Sequence, residues 1–403
     1  MSQSTPSPFE QARQCVMCGL CVPHCPTYAV HGTEADSPRG RLSMMLGLAT
    51  GELPLDAQVA SHLDACLGCR ACERACPSKV PYGALIDEAR AFLAAREAPM
   101  PSATTALRAL RDHVLPYRER LGMASTIGRT LSGLRRALPE AGLSQRLLTL
   151  APQPRPARFN AFGVHEPTAP CTGEVALFTG CTAHTDADSL RAALRLLRAW
   201  GLRVHVPREQ SCCGALHRHA GDPQRADRFA LDNREVFGAL GEMPLTGVST
   251  GCLAELQGNT TTPLAVEEIA RLLLSRLPSP APRFRPLRAR VALHTPCSLR
   301  NVLRGADEVA TLLGHVPELD VIPLPDGGRC CGAGGTHTLS HPEQADRLAG
   351  MALDTLAETG ATHLLTSNIG CALHLAQAAR QRGLALTVEH PLGLLARQLD
   401  APG

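Results

Sequence analysis

CLGCRACERACP, the stretch from Cys66 to Pro77, carries four cysteines in the spacing C-x2-C-x2-C-x3-C and follows the last of them with a proline. An earlier stretch, CVMCGLCVPHCP from Cys15 to Pro26, repeats that spacing and ends in the same way. Two runs of closely spaced thiols indicate a domain that is organised around thiolate-bound metal.

Both runs have the cysteine spacing of a bacterial ferredoxin with two [4Fe-4S] clusters, in which three close cysteines bind one cluster and the fourth binds the other. This rule predicts two clusters, one held by Cys15, Cys18, Cys21 and Cys76 and one held by Cys66, Cys69, Cys72 and Cys25. Zinc is the alternative metal, because C-x2-C pairs also form tetrahedral zinc sites. Zinc sites usually consist of two spaced pairs of ligands, so two runs of four thiols favour iron and sulfur.

Length and composition set the broad class of the protein. A chain of 403 residues is too long for one ordinary core and predicts two or three domains. The net charge of +3 gives no reason to expect a nucleic-acid partner. There is no apolar run long enough for a signal peptide or a membrane span, so we expect an unexported, cytoplasmic protein. Seventeen cysteines in such a protein favour metal thiolates over disulfides.

The N-terminal domain is predicted to span residues 1–90 and to be mainly helical. One helix should begin at Pro38 after a Ser37 cap and end near Gly51, and a second should run from about Asp56 to Asp64. The domain is also basic, and its positive charges either offset the negative charge of the clusters or are simply solvated. These residues are Arg39, Arg41, Arg70, Arg74 and Lys79.

A connector is predicted over residues 91–170. Apolar residues at helical spacing, with arginines between them, continue to about Leu150, and a proline-rich linker follows at 151–170. An arginine-rich amphipathic surface usually packs on its own domain. It also leaves open a peripheral association with an anionic membrane surface or a contact with a partner protein.

The rest of the chain is an internal repeat, with copies at residues 171–285 and 286–403. Short apolar strands alternate with amphipathic helices in both copies, which predicts α/β units with parallel sheets. The predicted fold class is therefore multi-domain α+β: a helical two-cluster ferredoxin domain followed by two α/β repeats. Each repeat contains a Cys-Cys-Gly triplet, and we call these units the CCG repeats.

The cysteines of the CCG repeats follow successive predicted strands. Those of the first repeat are Cys181, Cys212, Cys213 and Cys252, and those of the second are Cys297, Cys330, Cys331 and Cys371. Because the carboxyl ends of parallel strands share one edge of a sheet, these eight thiols are expected to converge at one edge or at the seam between the copies, as an additional cluster site or redox site. Buried structural cysteine is the alternative, but cores seldom need adjacent thiols in register. Cys171 has no counterpart and is expected to be a bystander.

With these motifs together, the chain resembles the iron-sulfur subunit of bacterial glycolate oxidase over nearly its whole length. The segments that carry the resemblance are CVMCGLCVPHCPTY, DSPRGR and HLDACLGCRACERACPSKVPYGALIDEAR. More distantly it is similar to the iron-sulfur subunit of anaerobic glycerol-3-phosphate dehydrogenase, to lactate-utilisation proteins and to heterodisulfide reductase subunits. It departs from the last group because Glu255 and His374 stand where a further cysteine would follow Cys252 and Cys371.

The resemblance implies an electron-transfer subunit. A separate FAD-containing subunit would oxidise glycolate to glyoxylate, and this chain would carry the electrons toward a quinone or another acceptor. No FAD is expected on this chain and no catalytic residue is assigned, since no dinucleotide-binding glycine motif or acid-base pair is identifiable. The competing functions are a thiol-disulfide reductase that uses the CCG cysteines, the iron-sulfur subunit of a glycerol-3-phosphate or lactate dehydrogenase, and a structural or regulatory iron-sulfur protein. Ligand softness favours the second repeat, where His374 supplies a nitrogen, as the one with an additional cluster.

Overall fold

The computed structural model describes residues 8–131, 143–150, 158–259 and 264–400. Its N-terminal part is helical, as predicted, with short 3-10 turns at Glu10–Gln14, Val22–His24 and Glu34–Asp36. The helices are α1 (Pro26–His31), α2 (Pro38–Thr50), α3 (Ala57–Asp64), α4 (Ala71–Arg74) and α5 (Tyr82–Ala95).

The two helices predicted between the cysteine runs are confirmed, and each begins at a side-chain cap. The Ser37 side chain accepts a hydrogen bond from the Gly40 amide at the start of α2, and Gly51 ends that helix in the left-handed conformation, with φ of 76°. Asp56 accepts from the Val59 amide at 2.8 Å and so caps α3. Local sequence therefore fixes the path of the chain from one cysteine run to the other.

The connector contains α6 (Thr105–His113), α7 (Arg118–Thr130) and α8 (Leu143–Leu150). Residues 132–142 and 151–157, which include part of the helical pattern predicted up to about Leu150 and part of the predicted linker, lie outside the described residues. Where it is described, the predicted linker was wrong in one respect, because it contains strand β1 (Gly163–His165). β1 pairs antiparallel with the edge strand of the first CCG repeat, which satisfies backbone groups that an extended linker would leave unpaired.

The first CCG repeat contains a four-stranded sheet in the order β1-β3-β2-β4, parallel except for β1. Its further strands are β2 (Gly173–Phe178), β3 (Leu202–Val206) and β4 (Leu245–Gly247). Its helices are α9 (Ala187–Ala199), α10 (Ala215–Arg218), α11 (Pro223–Gly238), α12 (Thr250–Gly258) and α13 (Ile269–Ser275).

The second CCG repeat has a fully parallel sheet in the order β6-β5-β7-β8. Its strands are β5 (Ala289–His294), β6 (Leu319–Pro323), β7 (His363–Thr366) and β8 (Thr387–Glu389). A π-helical turn (Ser298–Leu303) precedes helices α14 (Ala306–Leu313), α15 (His337–Ser340), α16 (Pro342–Ala357), α17 (Ile369–Gln381) and α18 (Pro391–Gln398). The parallel α/β architecture predicted for both repeats is confirmed.

The two repeats pack against each other reciprocally and share one hydrophobic core. The first long helix of one repeat packs on the last helix of the other, α9 on α18 and α13 on α14. Trp200, buried at the end of α9, donates from Nε1 to the carbonyl oxygen of Leu273 at 2.9 Å and lies beside the ring of Phe284. The sheets are therefore held in a fixed relation by apolar burial on both sides.

His390 also joins the two repeats and makes their association sensitive to pH. Its Nε2 donates to the Val248 carbonyl oxygen at 2.9 Å, and its Nδ1 accepts from the Leu392 amide as the cap of α18. Burial lowers the pKa of His390 from 6.5 to about 4, so the folded protein holds the ring neutral. Because the folded-state pKa is the lower one, this contribution to stability is complete above pH 6.5 and is lost as the pH falls towards 4.

We expect the free energy of unfolding of wild type to exceed that of His390→Asn most at pH 8. The difference should shrink by about 2 kcal/mol at pH 5, since only the wild type must bury a ring that tends to protonate. Urea unfolding followed by the fluorescence of Trp200, the single tryptophan, measures both values. His315→Asn, at an exposed histidine, is the control and should show no pH-dependent difference. The prediction would be contradicted if the difference in free energy of unfolding between wild type and His390→Asn were the same at pH 8 and pH 5.

Candidate cysteine-based site

The first cysteine group is built on the loop before α1, with one thiol from the second run. Burial raises the pKa of the Cys21 thiol. Three neighbouring thiols raise it further, those of Cys15, Cys18 and Cys76. These four cysteines, together with Cys72, line a small cavity between the two runs. The structure thus brings together the four thiols that the sequence assigns to one cluster, and their ligation stays a prediction.

The second group lies deeper in the N-terminal domain. Burial raises the pKa of the Cys72 thiol well above its ordinary value, and neighbouring thiols add to the shift. These neighbours are, in order of influence, Cys69, Cys66, Cys25 and Cys21. Cys25 reaches this group because it is the N-cap residue of α1, where Pro26 begins the helix and turns the chain inward. The fourth cysteine of each run therefore lies with the other run.

Buried polar groups surround the second cysteine group. Arg41 is fully buried and donates from Nη1 to the Thr27 hydroxyl at 2.8 Å and to the Asp36 carbonyl oxygen at 2.7 Å. Burial acts to lower the Arg41 pKa, but several groups, including the thiols of Cys66 and Cys25, raise it overall. Thr27 in turn lies 3.1 Å from Cys25 Sγ. Arg41 is thus a permanent positive charge held beside the thiols, which stabilises their ionised form.

The other basic residues noted in the sequence have different surroundings. Arg39 donates to the Met17 carbonyl oxygen at 3.3 Å and so braces the first cysteine loop, while Arg70 pairs with Glu73 at 2.6 Å. Sequence reasoning missed two residues that contact the second cysteine group. Arg90 donates to the Cys66 carbonyl oxygen, and the Tyr82 hydroxyl lies 3.8 Å from Cys66 Sγ. Neither had a signal in the sequence beyond its place shortly after the second cysteine run.

The four cysteines of the first CCG repeat converge at the carboxyl edge of its sheet. The sulfur atoms of Cys181 and Cys212 are 3.8 Å apart. Hydrogen bonds from Cys181 and Cys213 lower the pKa of the Cys212 thiol well below its ordinary value. A hydrogen bond with Cys212, and next one with Cys252 in the first turn of α12, raise the pKa of the Cys213 thiol well above its ordinary value. The four thiols of this repeat therefore meet at the sheet edge, whereas their chemistry stays a prediction.

The second repeat repeats this arrangement. The sulfur atoms of Cys331 and Cys371 are 2.8 Å apart, and their hydrogen bond lowers the pKa of Cys331 to about 7. Burial raises the pKa of Cys297 to about 12, with a further contribution from Cys331. The half-buried Cys330 lies among these sulfur atoms, and Cys331 and Cys297 are its strongest electrostatic neighbours.

The glycine of each Cys-Cys-Gly triplet is required by the backbone. Gly214 and Gly332 have φ of 91° and 78°, a region that L side chains rarely adopt. A Cβ atom would lie 2.8 Å from the Ala226 carbonyl oxygen in the first case and 2.5 Å from the Ala345 carbonyl oxygen in the second. Close contact between the thiol loop and the following helix therefore depends on glycine in both repeats.

The residues considered as extra ligands are occupied elsewhere. His374 is buried, with Nδ1 2.8 Å from the Cys331 carbonyl oxygen and Nε2 3.4 Å from Asp346 Oδ1. Glu255 forms a 2.5 Å ion pair with Arg218. In this arrangement the nitrogen atoms of His374 orient the Cys331 loop instead of facing an open ligand position, so each CCG set offers four thiols.

The second CCG repeat lies directly against the N-terminal cysteine domain. Burial raises the pKa of the Cys69 thiol, and the next contribution comes from Cys297 of the second repeat. Asn301 donates to the Cys69 carbonyl oxygen at 2.7 Å, and Cys69 and Cys330 border the same apolar cluster. The strongest influences on the pKa values of the first-repeat thiols come from that repeat itself. The two CCG repeats are therefore not equivalent.

The donor set fits iron-sulfur clusters. Among the described residues, no three cysteine, histidine or acidic side chains are grouped to hold a single metal ion. A [4Fe-4S] cluster binds its cysteines through different irons, so it needs thiols that surround a larger volume than one ion does. Each N-terminal group supplies four such thiols, with Arg41 buried beside one group. Cys171, which is exposed, belongs to none of the cysteine groups.

Comparison with known proteins agrees with this organisation. A family model described as a 4Fe-4S dicluster domain matches residues 11–80, and one described as a cysteine-rich domain matches residues 175–257 and 291–376. The probable glycolate oxidase iron-sulfur subunit of Bacillus subtilis (strain 168) is 30% identical over 398 residues, covering 92% of this chain and 90% of that protein.

Two further relatives extend the comparison. The glycolate oxidase iron-sulfur subunit of Escherichia coli (strain K12) is 30% identical over 392 residues, covering 91% of this chain and 90% of that protein. Lactate utilization protein A of Exiguobacterium sp. is 24% identical over 236 residues, covering 54% of this chain and 94% of that protein. The similarity to the first two relatives thus extends through the N-terminal domain, the connector and both CCG repeats.

Proposed function

Because the chain belongs to the family of glycolate oxidase iron-sulfur subunits, we propose that it is the electron-transfer subunit of a glycolate-oxidising complex. The observation that carries this proposal is the row of cysteine groups, which leads from the exposed Cys18, through the buried second group, to the thiols of the second CCG repeat. A continuous path of redox-capable sites suits a subunit that carries electrons.

In this proposal the N-terminal domain holds two [4Fe-4S] clusters. Cys15, Cys18, Cys21 and Cys76 hold the first, and Cys66, Cys69, Cys72 and Cys25 hold the second. When bound, such clusters accept and release one electron at a time, which suits them to divide the two electrons of a hydride. Arg41 offsets the negative charge of the second site, and Arg39 fixes the loop of the first.

The oxidation of glycolate to glyoxylate is assigned to an FAD-containing partner subunit. The reason is that the relatives are named as the iron-sulfur subunits of glycolate oxidase, which implies a separate subunit for the substrate. A quinone or another acceptor would take the electrons from this chain. The need to keep these thiols reduced favours the cytoplasm.

Contact with a membrane would be peripheral in this proposal. None of the helices in the described ranges is both long and apolar enough to cross a bilayer. The exposed apolar residues of α7, Met123 and Ile127, leave one surface of the connector available for contact with a membrane or a partner. The connector also packs on its own chain, because the buried Arg146 of α8 donates to the Thr338 carbonyl oxygen in the second repeat.

An additional cluster in the second CCG repeat is part of the same proposal. Its thiols converge beside Cys69, so a redox site there would exchange electrons with the N-terminal domain over a short distance. The ligands would be Cys297, Cys330, Cys331 and Cys371, with His374 positioning the Cys331 loop through its carbonyl contact. The notion that His374 itself completes the ligand set loses support, because both of its nitrogens already have polar neighbours.

Purification with and without a flavoprotein partner tests the function. We expect the tagged chain to capture an FAD-containing subunit, the complex to oxidise glycolate with a dye acceptor, and the isolated chain to be inactive. Disruption of the gene should abolish growth on glycolate and leave growth on glycerol 3-phosphate unchanged. Loss of growth on glycerol 3-phosphate alone would contradict the choice of substrate. Disulfide reduction by the isolated chain would instead favour the thiol-disulfide reductase.

A further inference from the structure

A large cavity of about 720 Å³ lies between the connector and the first CCG repeat. One wall is formed by residues 112–120 at the end of α6 and the start of α7, and the opposite wall by Arg225, Arg228 and Phe229 of α11. Its volume is in the range of small-molecule sites, which are typically about 300–1,000 Å³. Nothing in the function proposed above uses this cavity.

The position of the cavity has a counterpart in the second repeat. Aligning Pro223 with Pro342 at the start of α11 and α16 pairs Arg225 with Gln344 and Phe229 with Leu348. In the second repeat this helix face is covered by the N-terminal domain. Gln344 contacts His31 at 2.8 Å and donates to the Ala65 carbonyl oxygen at 3.0 Å, and Leu348 packs with Val30 and Leu67. The first repeat leaves the matching face open.

The floor of the cavity leads to the thiols of the first repeat. Gly180 and Ser211, which line it, directly precede Cys181 and Cys212 in the chain. The matching cysteines of the second repeat are Cys297 and Cys330, and these are the ones that adjoin Cys69. The cavity therefore adjoins the thiols of the first repeat at the position where the N-terminal cysteine domain adjoins the thiols of the second repeat.

The cavity has positive charge that its own carboxylates do not neutralise. Arg118, which belongs to the lining, holds its guanidinium over the Phe162 ring and donates from Nη2 to the Arg208 carbonyl oxygen, so it adds positive charge to this end of the cavity without an accessible donor. Helix α7 begins at Arg118 with no side-chain cap, so its free amides also face this end. Two more arginines of the lining, Arg120 and Arg228, lie at the rim and are exposed.

The carboxylates of the lining are largely committed to other partners. Asp112 pairs with Arg111 at 2.7 Å and with Arg225 at 2.9 Å. Glu119 pairs with His184 at 3.0 Å, and the third carboxylate, Asp232, is exposed at the rim. An anion that entered would therefore meet Arg118 and Arg228 before any unpaired acid in the interior.

We propose that this cavity binds a small aromatic anion next to the thiols of the first CCG repeat. The aromatic part follows from the ring faces of Tyr117, which is 44% exposed, and Phe229, which together offer apolar contact beside the arginines. The anionic part follows from the exposed Arg228 at the rim, from the charge of Arg118 and from the uncapped amides at the start of α7. At this site the first repeat contacts a small-molecule ligand, at the position where the second repeat contacts the N-terminal domain.

Isothermal titration of the full, cluster-containing chain with anthraquinone-2-sulfonate under anaerobic conditions tests this site. We expect one saturable site on the wild type. Arg228→Glu, at an exposed position, should weaken binding at least about tenfold because it replaces an attraction with a repulsion. Arg118→Gln should weaken it by a similar factor. The neutral 2-(hydroxymethyl)anthraquinone should bind at least about tenfold more weakly than the sulfonate to the wild type.

The control variant is Arg288→Gln, an exposed arginine of the second repeat paired with Glu318, which should bind the sulfonate as wild type does. Unchanged iron content and an unchanged far-ultraviolet circular dichroism spectrum show that each variant is folded. If Arg118→Gln does not fold, Arg228→Glu is the only variant used for the test. Absence of saturable binding to the wild type would overturn the proposal. So would equal affinity of the wild type and Arg228→Glu, or equal affinity for the charged and neutral probes. The readout is independent of glycolate turnover.

Discussion

Replacing Cys72 with serine is expected to remove one of two N-terminal clusters and to reduce electron transfer through the chain to background. Cys72 is 7% exposed, and its strongest electrostatic neighbours are the other three thiols of the second group. A serine hydroxyl is a poor ligand for iron at neutral pH, since soft thiolates are what such clusters require. The iron content from these two sites should fall from about eight to about four per chain.

The position of the second group explains why the effect on electron transfer should be complete. The first group includes the exposed Cys18, whereas the second lies between it and the thiols of the second CCG repeat. Loss of the middle site interrupts the row of cysteine groups instead of removing one end of it. Iron and sulfide analysis with electron paramagnetic resonance of the reduced protein measures the number of centres, and dye reduction by the reconstituted complex measures the flow.

Cys171→Ser is the matched control, because Cys171 is exposed and lies outside the four cysteine groups. It should keep the full iron content and wild-type turnover. Retention of one magnetic centre in Cys72→Ser would show that the domain remains folded. Full iron content together with full turnover in Cys72→Ser would reject the assignment of Cys72 as a ligand.

Replacing Cys330 and Cys331 together with serine is expected to block electron exit and to remove any iron beyond that of the N-terminal domain. The first reason is the contact between domains, since Cys330 borders the same apolar cluster as Cys69 of the N-terminal domain. The second is the position of Cys331 within its own thiol set, where its sulfur atom lies 2.8 Å from that of Cys371. Turnover of the complex should fall to background while both N-terminal centres remain reducible. The same measurements of iron, magnetic resonance and dye reduction apply.

The corresponding variant of the first repeat, Cys212→Ser with Cys213→Ser, provides the comparison. Its thiols are influenced mainly by their own repeat, so we expect its effect on reduction of the N-terminal centres and on electron exit to be smaller. Both double variants change buried residues, and the fluorescence of Trp200 between the repeats reports whether the pair of sheets is intact. An unchanged iron count with normal turnover in the second-repeat variant would leave the repeats as scaffold.

The two CCG repeats have different neighbours, so each can have a different role. Both copies carry the same thiol pattern and the same glycine requirement, at Gly214 and Gly332. Both repeats contact the N-terminal domain, the first through His219 and Asp87 at 3.1 Å, but one helix face differs in what covers it: α1 and the second cysteine run cover α16, and the cavity opens on α11. Duplication followed by this difference would allow one repeat to communicate with the N-terminal domain and the other with a separate ligand.

Much of the architecture could be predicted from the sequence, because it is encoded by short-range patterns. The caps at Ser37 and Asp56 specify where two helices begin, since a side-chain oxygen three residues away satisfies a free amide. Alternation of strands and helices specified the parallel sheets, and strand ends specified where the CCG thiols would meet. β1 was missed because a three-residue strand, paired only at the sheet edge, has too few residues to show a period.

The sequence by itself determined the four cysteine groups, the repeat and the helical N-terminal domain, because spacing along the chain limits which groups can meet. Only the tertiary structure decided which repeat adjoins the second cysteine group, how Arg41 is buried beside it, and where the cavity opens. Those features depend on contacts between residues far apart in the chain, such as Asn301 with the Cys69 carbonyl oxygen. No local sequence pattern encodes these features, because each one depends on how two surfaces pack together and every residue supplies only a small part of that packing.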